Sequence, residues 1–205
     1  MQLKIASKRT FLLAIFTGFA FSPAFLFFGV PKIKSQVINT SPPIIENTVV
    51  PLAQVRASVG LPVRLTIPSI GVDSIVEHVG LTSDGAMDVP KNPADVAWYN
   101  LGSRPGERGS SVIAGHYDTK KSAPAVFSRL HALQKGDKIY VESEDGVITA
   151  FVVRESKKYD RNENASDVFG SNNEGAYLNL VTCEGVWNKA SKSYSKRLVI
   201  FADKE

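Results

Sequence analysis

From Leu61 to the C-terminus, short runs of apolar or alternating residues are separated by turn-forming residues, and this pattern restricts the fold more than any other feature. Residues 63–67 and 147–155, for example, alternate as expected for strands that bury one face. Fifteen glycines and eleven prolines in 205 residues supply the many turns that short strands need. We therefore predict that residues 60–205 form an all-β domain with minor α content, a closed or nearly closed β-barrel of about seven to eight strands with one or two short helices.

Three local patterns add detail to this prediction. Residues 123–133 carry apolar side chains at helical spacing, which predicts a helix there. Residues 87–90 end in a proline, which cannot donate a hydrogen bond within a sheet, so we predict a short edge strand. Residues 185–195 are mostly polar and begin with a glycine, which predicts a loop between two apolar strands.

An uncharged run at residues 11–30, rich in Phe, Leu, Ala and Ile, precedes the domain. A helix of this length, at about 1.5 Å per residue, crosses roughly 30 Å of hydrocarbon, so we predict a transmembrane anchor. A cleaved signal peptide is the alternative. Its apolar core is usually about 7–15 residues long and is followed by small residues, whereas Phe25, Phe27 and Phe28 occupy that place here.

The formal net charge of +4 would suit a nucleic-acid-binding protein if it lay in the folded domain. Residues 1–56 hold six basic side chains and one acidic, whereas residues 57–205 hold 18 basic and 19 acidic, a net charge of −1. We therefore expect no nucleic-acid partner. The positive charge favours contact with membrane phosphates. The basic residues before the uncharged run favour a cytoplasmic N-terminus at residues 1–10, but Lys32 and Lys34 on its other side leave the orientation open on charge alone. The proline-containing residues 31–59 are predicted to be a linker.

The apolar run at residues 177–183 ends in Cys183, the only cysteine of the chain. A single cysteine excludes an internal disulfide, and a leftover thiol in an exported protein is either buried or reactive. At the end of a strand, close to Gly185, the thiol would be open to a substrate, whereas a core cysteine more usually lies within a strand. The alternative is that Cys183 is a small buried apolar side chain.

Two other apolar runs carry a chemically useful residue at one end. Residues 111–116 end in His116, and residues 197–202 begin with Arg197. If both strands lie near the one that ends in Cys183, the three side chains converge at one edge of the barrel. The other two histidines are predicted to have different places: His78 as a packing or surface residue and His131 facing solvent.

Three segments in this order resemble the sortases, the cysteine transpeptidases of bacterial surfaces. They are Ala-Gly-His-Tyr-Asp at 114–118, Leu-Val-Thr-Cys at 180–183 and Arg197. The resemblance covers roughly residues 60 to 205. Upstream, Trp98-Tyr99 and Arg104-Pro105-Gly106-Glu107 look most like the class F group.

The resemblance implies that Cys183 is the nucleophile, His116 the acid and base, and Arg197 the residue that stabilises the transition state. A thiol attacks as the thiolate, an imidazole can take its proton and later protonate the leaving amine, and a guanidinium offers planar donors to an oxyanion. Thr182 is implied as a lesser oxyanion or substrate-positioning residue. Asp118 is a candidate to orient His116 and a second candidate for the substrate site.

The implied substrate is a C-terminal sorting signal of the Leu-Pro-x-Thr-Gly type on a surface protein. It would be cut after Thr and held as a thioester on Cys183, until an amine of a cell-wall peptide or a pilin takes the acyl group. The resemblance also implies a single-pass protein of the cell membrane with its catalytic domain outside the cell. No motif indicates a metal site, and we expect no cofactor.

Three alternatives remain open on the sequence. An L,D-transpeptidase has its cysteine closely preceded by His-Gly, which Val181-Thr182-Cys183 lacks. A non-catalytic, wall-associated β-barrel module would show slow and unselective alkylation of Cys183. A hydrolase that only releases its substrate is also compatible, since water and an amine attack the same intermediate.

Overall fold

The alternating runs form β-strands in the computed structural model, which describes residues 59–119, 121–171 and 174–205. The strands are β1 (Pro62–Ile67), β2 (Val72–Val79), β3 (Val96–Tyr99), β4 (Gly109–Gly115), β5 (Lys138–Ser143), β6 (Ile148–Asp160), β7 (Ala176–Asn188) and β8 (Ser193–Lys204). They close into a barrel in the order β1-β2-β3-β4-β7-β8-β6-β5. Neighbouring strands are antiparallel except β2–β3 and β4–β7, which are parallel. The prediction of an all-β closed barrel is confirmed, with eight strands in the described residues.

The central strands bury both faces. On β7, Leu180 belongs to the core inside the barrel, whereas Val181 belongs to a second apolar cluster on the outer face. The second cluster includes residues of the short helix α1 (Ser166–Phe169), which packs against this face. Because successive side chains of a strand point to opposite faces, Thr182 points inward and Cys183 outward.

The predicted helix at residues 123–133 is wrong in extent, because only Leu130–Ala132 form a 3₁₀-helix and the preceding residues form turns. The backbone N–H groups that a helix would need are used elsewhere: the N–H of Val126 donates to Pro93 O, and that of Phe127 donates to His116 O. The apolar side chains instead reach the barrel core, where Phe127 and Leu130 are fully buried. Tertiary contacts therefore override the helical spacing.

The predicted edge strand at residues 87–90 is also absent from the described structure. Met87 forms one isolated bridge with Leu81, and its side chain is buried in the outer cluster. The carbonyl oxygen of Pro90 faces His116. This segment therefore packs on the barrel without joining its sheet.

Much of the predicted loop at residues 185–195 is a β-hairpin, because β7 continues to Asn188 and β8 begins at Ser193. The pairing register shifts between Glu184 and Trp187, where Gly185 has φ of +86°. A glycine with positive φ allows a β-bulge, which bends the strand without ending it. The hairpin thus extends beyond the point at which the sequence predicts that the strands end.

The predictions for residues 1–10, 11–30 and 31–59 concern segments almost entirely outside the described residues. Within residues 59–119, 121–171 and 174–205, no helix is both long enough and apolar enough to span a bilayer.

Candidate active site

The parallel pairing of β4 with β7 brings His116 and Cys183 to the same level of the sheet. Ala114 pairs with Val181, and His116 and Cys183 each follow two residues later. A side-chain hydrogen bond also joins the two strands at this end, because Thr182 Oγ1 donates to the carbonyl oxygen of Gly115 at 2.9 Å. The sheet itself therefore sets the approach of His116 to Cys183.

Cys183 is the direct cross-strand neighbour of Arg197 in the antiparallel β7–β8 pair. The thiol is partly exposed, whereas only 1% of Arg197 is exposed. The sequence predicts that Cys183 ends its strand and that Arg197 begins one, but both lie within longer strands. The bulge that begins after Glu184 supplies the local opening that a strand end would have given.

A cleft of 480 Å³ contains Cys183, His116 and Arg197. One wall is formed by residues 115–119, which follow β4, and the other by the β7–β8 hairpin. The structure thus brings the three predicted catalytic side chains into one cavity.

The half-buried ring of His116 lies with Nε2 at 2.8 Å from the carbonyl oxygen of Pro90. A carbonyl oxygen only accepts hydrogen bonds, so Nε2 carries a proton and donates. In the neutral ring, the lone pair is therefore on Nδ1. Nδ1 is the nitrogen that can take up and release a proton.

Hydrogen bonds hold the guanidinium of Arg197 at the base of the β7–β8 hairpin. Nη1 donates to the carbonyl oxygens of Tyr194 at 3.1 Å and Lys196 at 2.8 Å, and Nη2 donates to Ser193 Oγ at 3.0 Å. These bonds use three of the five N–H donors of an arginine. Nε has no hydrogen-bond partner among the described residues, although it is buried.

Two N–H donors of Arg197, one on Nε and one on Nη2, are left over by these bonds. Nε and Nη2 form the edge that Arg64 uses to hold the carboxylate of Asp73, with both contacts at 2.6 Å. Burial lowers the pKa of Arg197, and the nearby Cys183 opposes this by favouring the charged guanidinium. An unsatisfied donor in a buried cation is costly, so its presence next to a nucleophile indicates a functional role.

Asp118 lines the same cleft but does not contact His116 by a hydrogen bond in the described structure. Its Oδ2 accepts a hydrogen bond of 2.6 Å from the hydroxyl of Tyr194. Burial and the contact with Asp118 raise the pKa of Tyr194 well above its ordinary value. The Asp118 carboxylate thus links the segment after β4 to the β7–β8 hairpin by a hydrogen bond.

Thr182 lies beneath the cleft. Its side chain is 1% exposed, and its hydroxyl is engaged by Gly115. It lines a separate cavity of 230 Å³ that also reaches Cys183 and His131. Its position is therefore suited to holding the strands in place.

The remaining histidines lie outside the main cleft. His78 contacts Pro62 O through Nε2 at 2.8 Å and packs edge to face on Trp98, as predicted for a packing residue. His131 is exposed and borders the smaller cavity. Within the described part of the chain, no group of three or more His, Cys, Asp or Glu residues could hold a metal ion.

Sequence reasoning missed the hairpin residues that form one wall of the cleft. Trp187 pairs with Tyr194 across the strands, and their rings are 5.2 Å apart. Ser193, next to Tyr194, holds Arg197. Two aromatic residues, Trp187 and Tyr194, on either side of the polar residues 188–193 are a signal for a hairpin that could have found this wall.

Comparisons with known proteins agree with this architecture. A family model for the sortase domain matches residues 65–205. Sortase C-1 of Actinomyces oris superimposes with a TM-score of 0.56 at 23% identity, over 70% of this chain and 71% of that chain. The pilus island 1 sortase C2 of Group B Streptococcus gives a TM-score of 0.53 at 25% identity, over 70% of this chain and 73% of that one.

Sortase A of Corynebacterium diphtheriae superimposes with a TM-score of 0.55 at 19% identity, over 73% of this chain and 63% of that chain. A search of curated proteins found no match. The family match extends over more than half of the chain and contains all three residues of the cleft that the sequence singles out. The chain therefore belongs to the sortase family, the cysteine transpeptidases with a closed β-barrel.

Proposed function

We propose that this chain cleaves a C-terminal sorting signal of the Leu-Pro-x-Thr-Gly type after Thr and transfers the acyl group to an amine of the cell wall or of a pilin. The observation that carries the proposal is the cross-strand pair of Cys183 and Arg197, with His116 in the same cleft. A nucleophile, a proton carrier and a fixed positive charge are the three groups that acyl transfer through a thioester requires.

In the first step, the thiolate of Cys183 attacks the carbonyl carbon of the Thr residue. The proton of the thiol is held by Nδ1 of His116, since Nε2 is occupied at Pro90 O. When the tetrahedral intermediate collapses, Nδ1 gives this proton to the leaving glycine amine. The bond between Thr and Gly is then broken, and the acyl group is held as a thioester on Cys183.

Arg197 stabilises the negative oxygen that forms during this attack. Nε has no partner among the described residues, and Nη2 keeps one N–H beyond the one that it gives to Ser193, so both atoms have a donor for the oxyanion. Because its other donors are fixed on the hairpin, the guanidinium does not need to reorient during the reaction. Preorganised donors of this kind are among the largest contributions to acyl-transfer catalysis.

Thr182 supports the reaction by positioning. The hydrogen bond from Thr182 to Gly115 fixes the residue before His116 against the residue before Cys183. We therefore propose that Thr182 keeps the nucleophile and the base in register and does not itself donate to the oxyanion.

We further propose that residues 11–30 anchor the protein in the cell membrane as a single pass, with the catalytic domain outside the cell. The uncharged run and the basic residues before it support this orientation.

We assign the chain to the class F group on Trp98-Tyr99 and the Arg104–Glu107 segment. In that segment, Glu107 accepts a hydrogen bond from the backbone of Arg104, whose guanidinium donates to Val59 O, so the motif forms a structural turn.

The test incubates the full-length chain with peptides that contain Leu-Pro-x-Thr-Gly, in which x is varied, with and without triglycine. We expect cleavage between Thr and Gly and, with triglycine, a new amide product identified by mass spectrometry. A peptide of the same composition in scrambled order is the control. Equal cleavage of the scrambled peptide, or no cleavage of any peptide in the panel, would contradict the proposal, and release of acid without amide would favour the hydrolase.

A further inference from the structure

Two tyrosine–aspartate pairs on this barrel have the same hydrogen-bond distance and differ in whether a cation is present. Tyr159 donates to Asp167, and Tyr194 donates to Asp118, both at 2.6 Å. At the first pair, the ammonium of Lys157 lies 3.4 Å from Asp167 and 4.4 Å from the centre of the Tyr159 ring. At this first pair, an ammonium group therefore contacts the carboxylate and lies over the aromatic ring.

At the second pair, the described part of the chain supplies no such ammonium. None of the ion pairs found between described residues involves the Asp118 carboxylate. Lys192 and Arg197 line the same cleft, but Arg197 is held by the hairpin, and neither residue forms an ion pair with Asp118. Among the described residues, the partner of the Asp118 carboxylate in the cleft is therefore the neutral phenol of Tyr194.

The aromatic rings around Asp118 add a second feature that suits a cation. Tyr194 is flanked by Tyr117, with ring centres 5.7 Å apart, and by Trp187 at 5.2 Å. All three rings line the cleft that contains Cys183. The faces of aromatic rings attract cations, and a carboxylate beside them adds a full negative charge.

We propose that Asp118, Tyr194 and Trp187 bind the primary ammonium group of the acyl acceptor, in the manner in which Asp167 and Tyr159 bind Lys157. This inference rests on the proposed function, because an acceptor is needed only if a thioester forms. The position fits: Asp118 follows His116 by two residues, and both lie in the cleft with Cys183. The acceptor amine would enter from the hairpin side, close to the thioester carbonyl.

The bound ammonium must lose two protons to become an amide. It releases the first to solvent at Asp118 and becomes a neutral amine. The amine nitrogen then attacks the thioester carbonyl and forms the C–N bond, while Nδ1 of His116 takes the second proton. The C–S bond breaks, and the sulfur of Cys183 leaves as a thiolate beside a protonated His116. No oxidant or further reactant is needed.

A kinetic experiment tests the proposal with two acceptors that differ in charge. Triglycine is an ammonium at neutral pH, whereas hydroxylamine is uncharged and needs no cation site. We expect Asp118→Asn to raise the half-saturating concentration of triglycine about tenfold more than that of hydroxylamine. Asp167→Asn removes the equivalent carboxylate outside the cleft. In this variant, the ratio of the half-saturating concentrations of triglycine and hydroxylamine should be the same as in the original chain. Equal effects of Asp118→Asn on both acceptors, or no effect on triglycine, would overturn the proposal.

A binding experiment separates this inference from the proposed function, because it needs no thioester. In the Cys183→Ala variant, triglycine should change the fluorescence of Trp187 in a saturable way, and N-acetyltriglycine, which has no ammonium, should not. Adding Asp118→Asn should abolish the response. A response to both peptides, or one that persists without Asp118, would overturn the ammonium site. If binding occurs but the original chain forms no thioester, the proposed function fails and the ammonium site stands.

Discussion

Cys183 and Arg197 face each other across the β7–β8 pair, and Nε of the buried arginine has no hydrogen-bond partner within the part of the chain that the structure describes. Its Nη1 donates to the carbonyl oxygens of Tyr194 and Lys196, and its Nη2 donates to Ser193 Oγ. The positive charge is therefore immobile before a substrate arrives, and the unused donors are next to the nucleophile. This relationship makes the role of the arginine depend on its shape as well as on its charge.

Replacing Arg197 with lysine should lower peptide turnover at least about tenfold, because an ammonium keeps the charge but loses the planar pair of donors. Arg197→Ala should lower turnover about a hundredfold or more. We expect Arg197→Ala to lower the melting temperature as well, since the side chain is buried and makes three hydrogen bonds. Turnover and thermal melting are measured on the same samples. A lysine variant with near-normal turnover would assign Arg197 a purely structural role.

If Ser193 acts by holding Arg197, Ser193→Ala should lower kcat about threefold to tenfold and leave KM nearly unchanged. The loss of one hydrogen bond, about 0.5–1.5 kcal/mol, sets this magnitude. Ser193→Thr keeps the hydroxyl and should restore most of the rate. A rise in KM with constant kcat, or no recovery with threonine, would show that Ser193 does not act through Arg197.

His116→Ala should reduce turnover by about 10²–10⁴, the usual contribution of a general acid and base. His78→Ala and His131→Ala are the matched controls, since neither side chain lines the main cleft. Steady-state assays of the three variants compare them directly. A loss from His78→Ala as large as that from His116→Ala would refute the choice of His116.

Strand periodicity in the sequence predicted the barrel and placed His116, Cys183 and Arg197 at the ends of three strands, but it left open whether these strands are neighbours. It could not predict that β7 continues past Cys183, because one glycine with positive φ converts an apparent strand end into a bulge. This difference explains why Arg197 is buried and why its removal is expected to cost stability, whereas a position at the barrel rim would predict little effect.

Local sequence patterns could not predict contacts between segments that are far apart in the chain. Asp118 and Tyr194 are 76 residues apart, and only the closed barrel brings them together. The apolar spacing of residues 123–133 suggested a helix, but the backbone of Phe127 bonds to His116 O instead. In both cases, tertiary hydrogen bonds decide the structure around the cleft.

Tyr159 should ionise at about pH 12, because burial and its hydrogen bond to Asp167 raise its pKa from about 10. Since the folded state holds this proton more tightly than the unfolded state, the stabilisation is complete below about pH 10 and is lost as the pH rises through about 12. Ultraviolet titration of tyrosinate should show a late phase to which Tyr194 also contributes, and Tyr159→Phe should reduce its amplitude by one tyrosine. If every tyrosine in the native protein titrates near its ordinary pKa, this expectation fails.

The most direct measurement for the whole account is the intact mass of the full-length chain after exposure to a Leu-Pro-x-Thr-Gly peptide, with Cys183→Ala treated in parallel. The account predicts that the original chain gains the mass of the acyl fragment that ends in Thr, that hydroxylamine removes this mass, and that Cys183→Ala gains nothing. An adduct of the same mass on Cys183→Ala, or none on the original chain while the peptide is being cleaved, would contradict the thioester on Cys183.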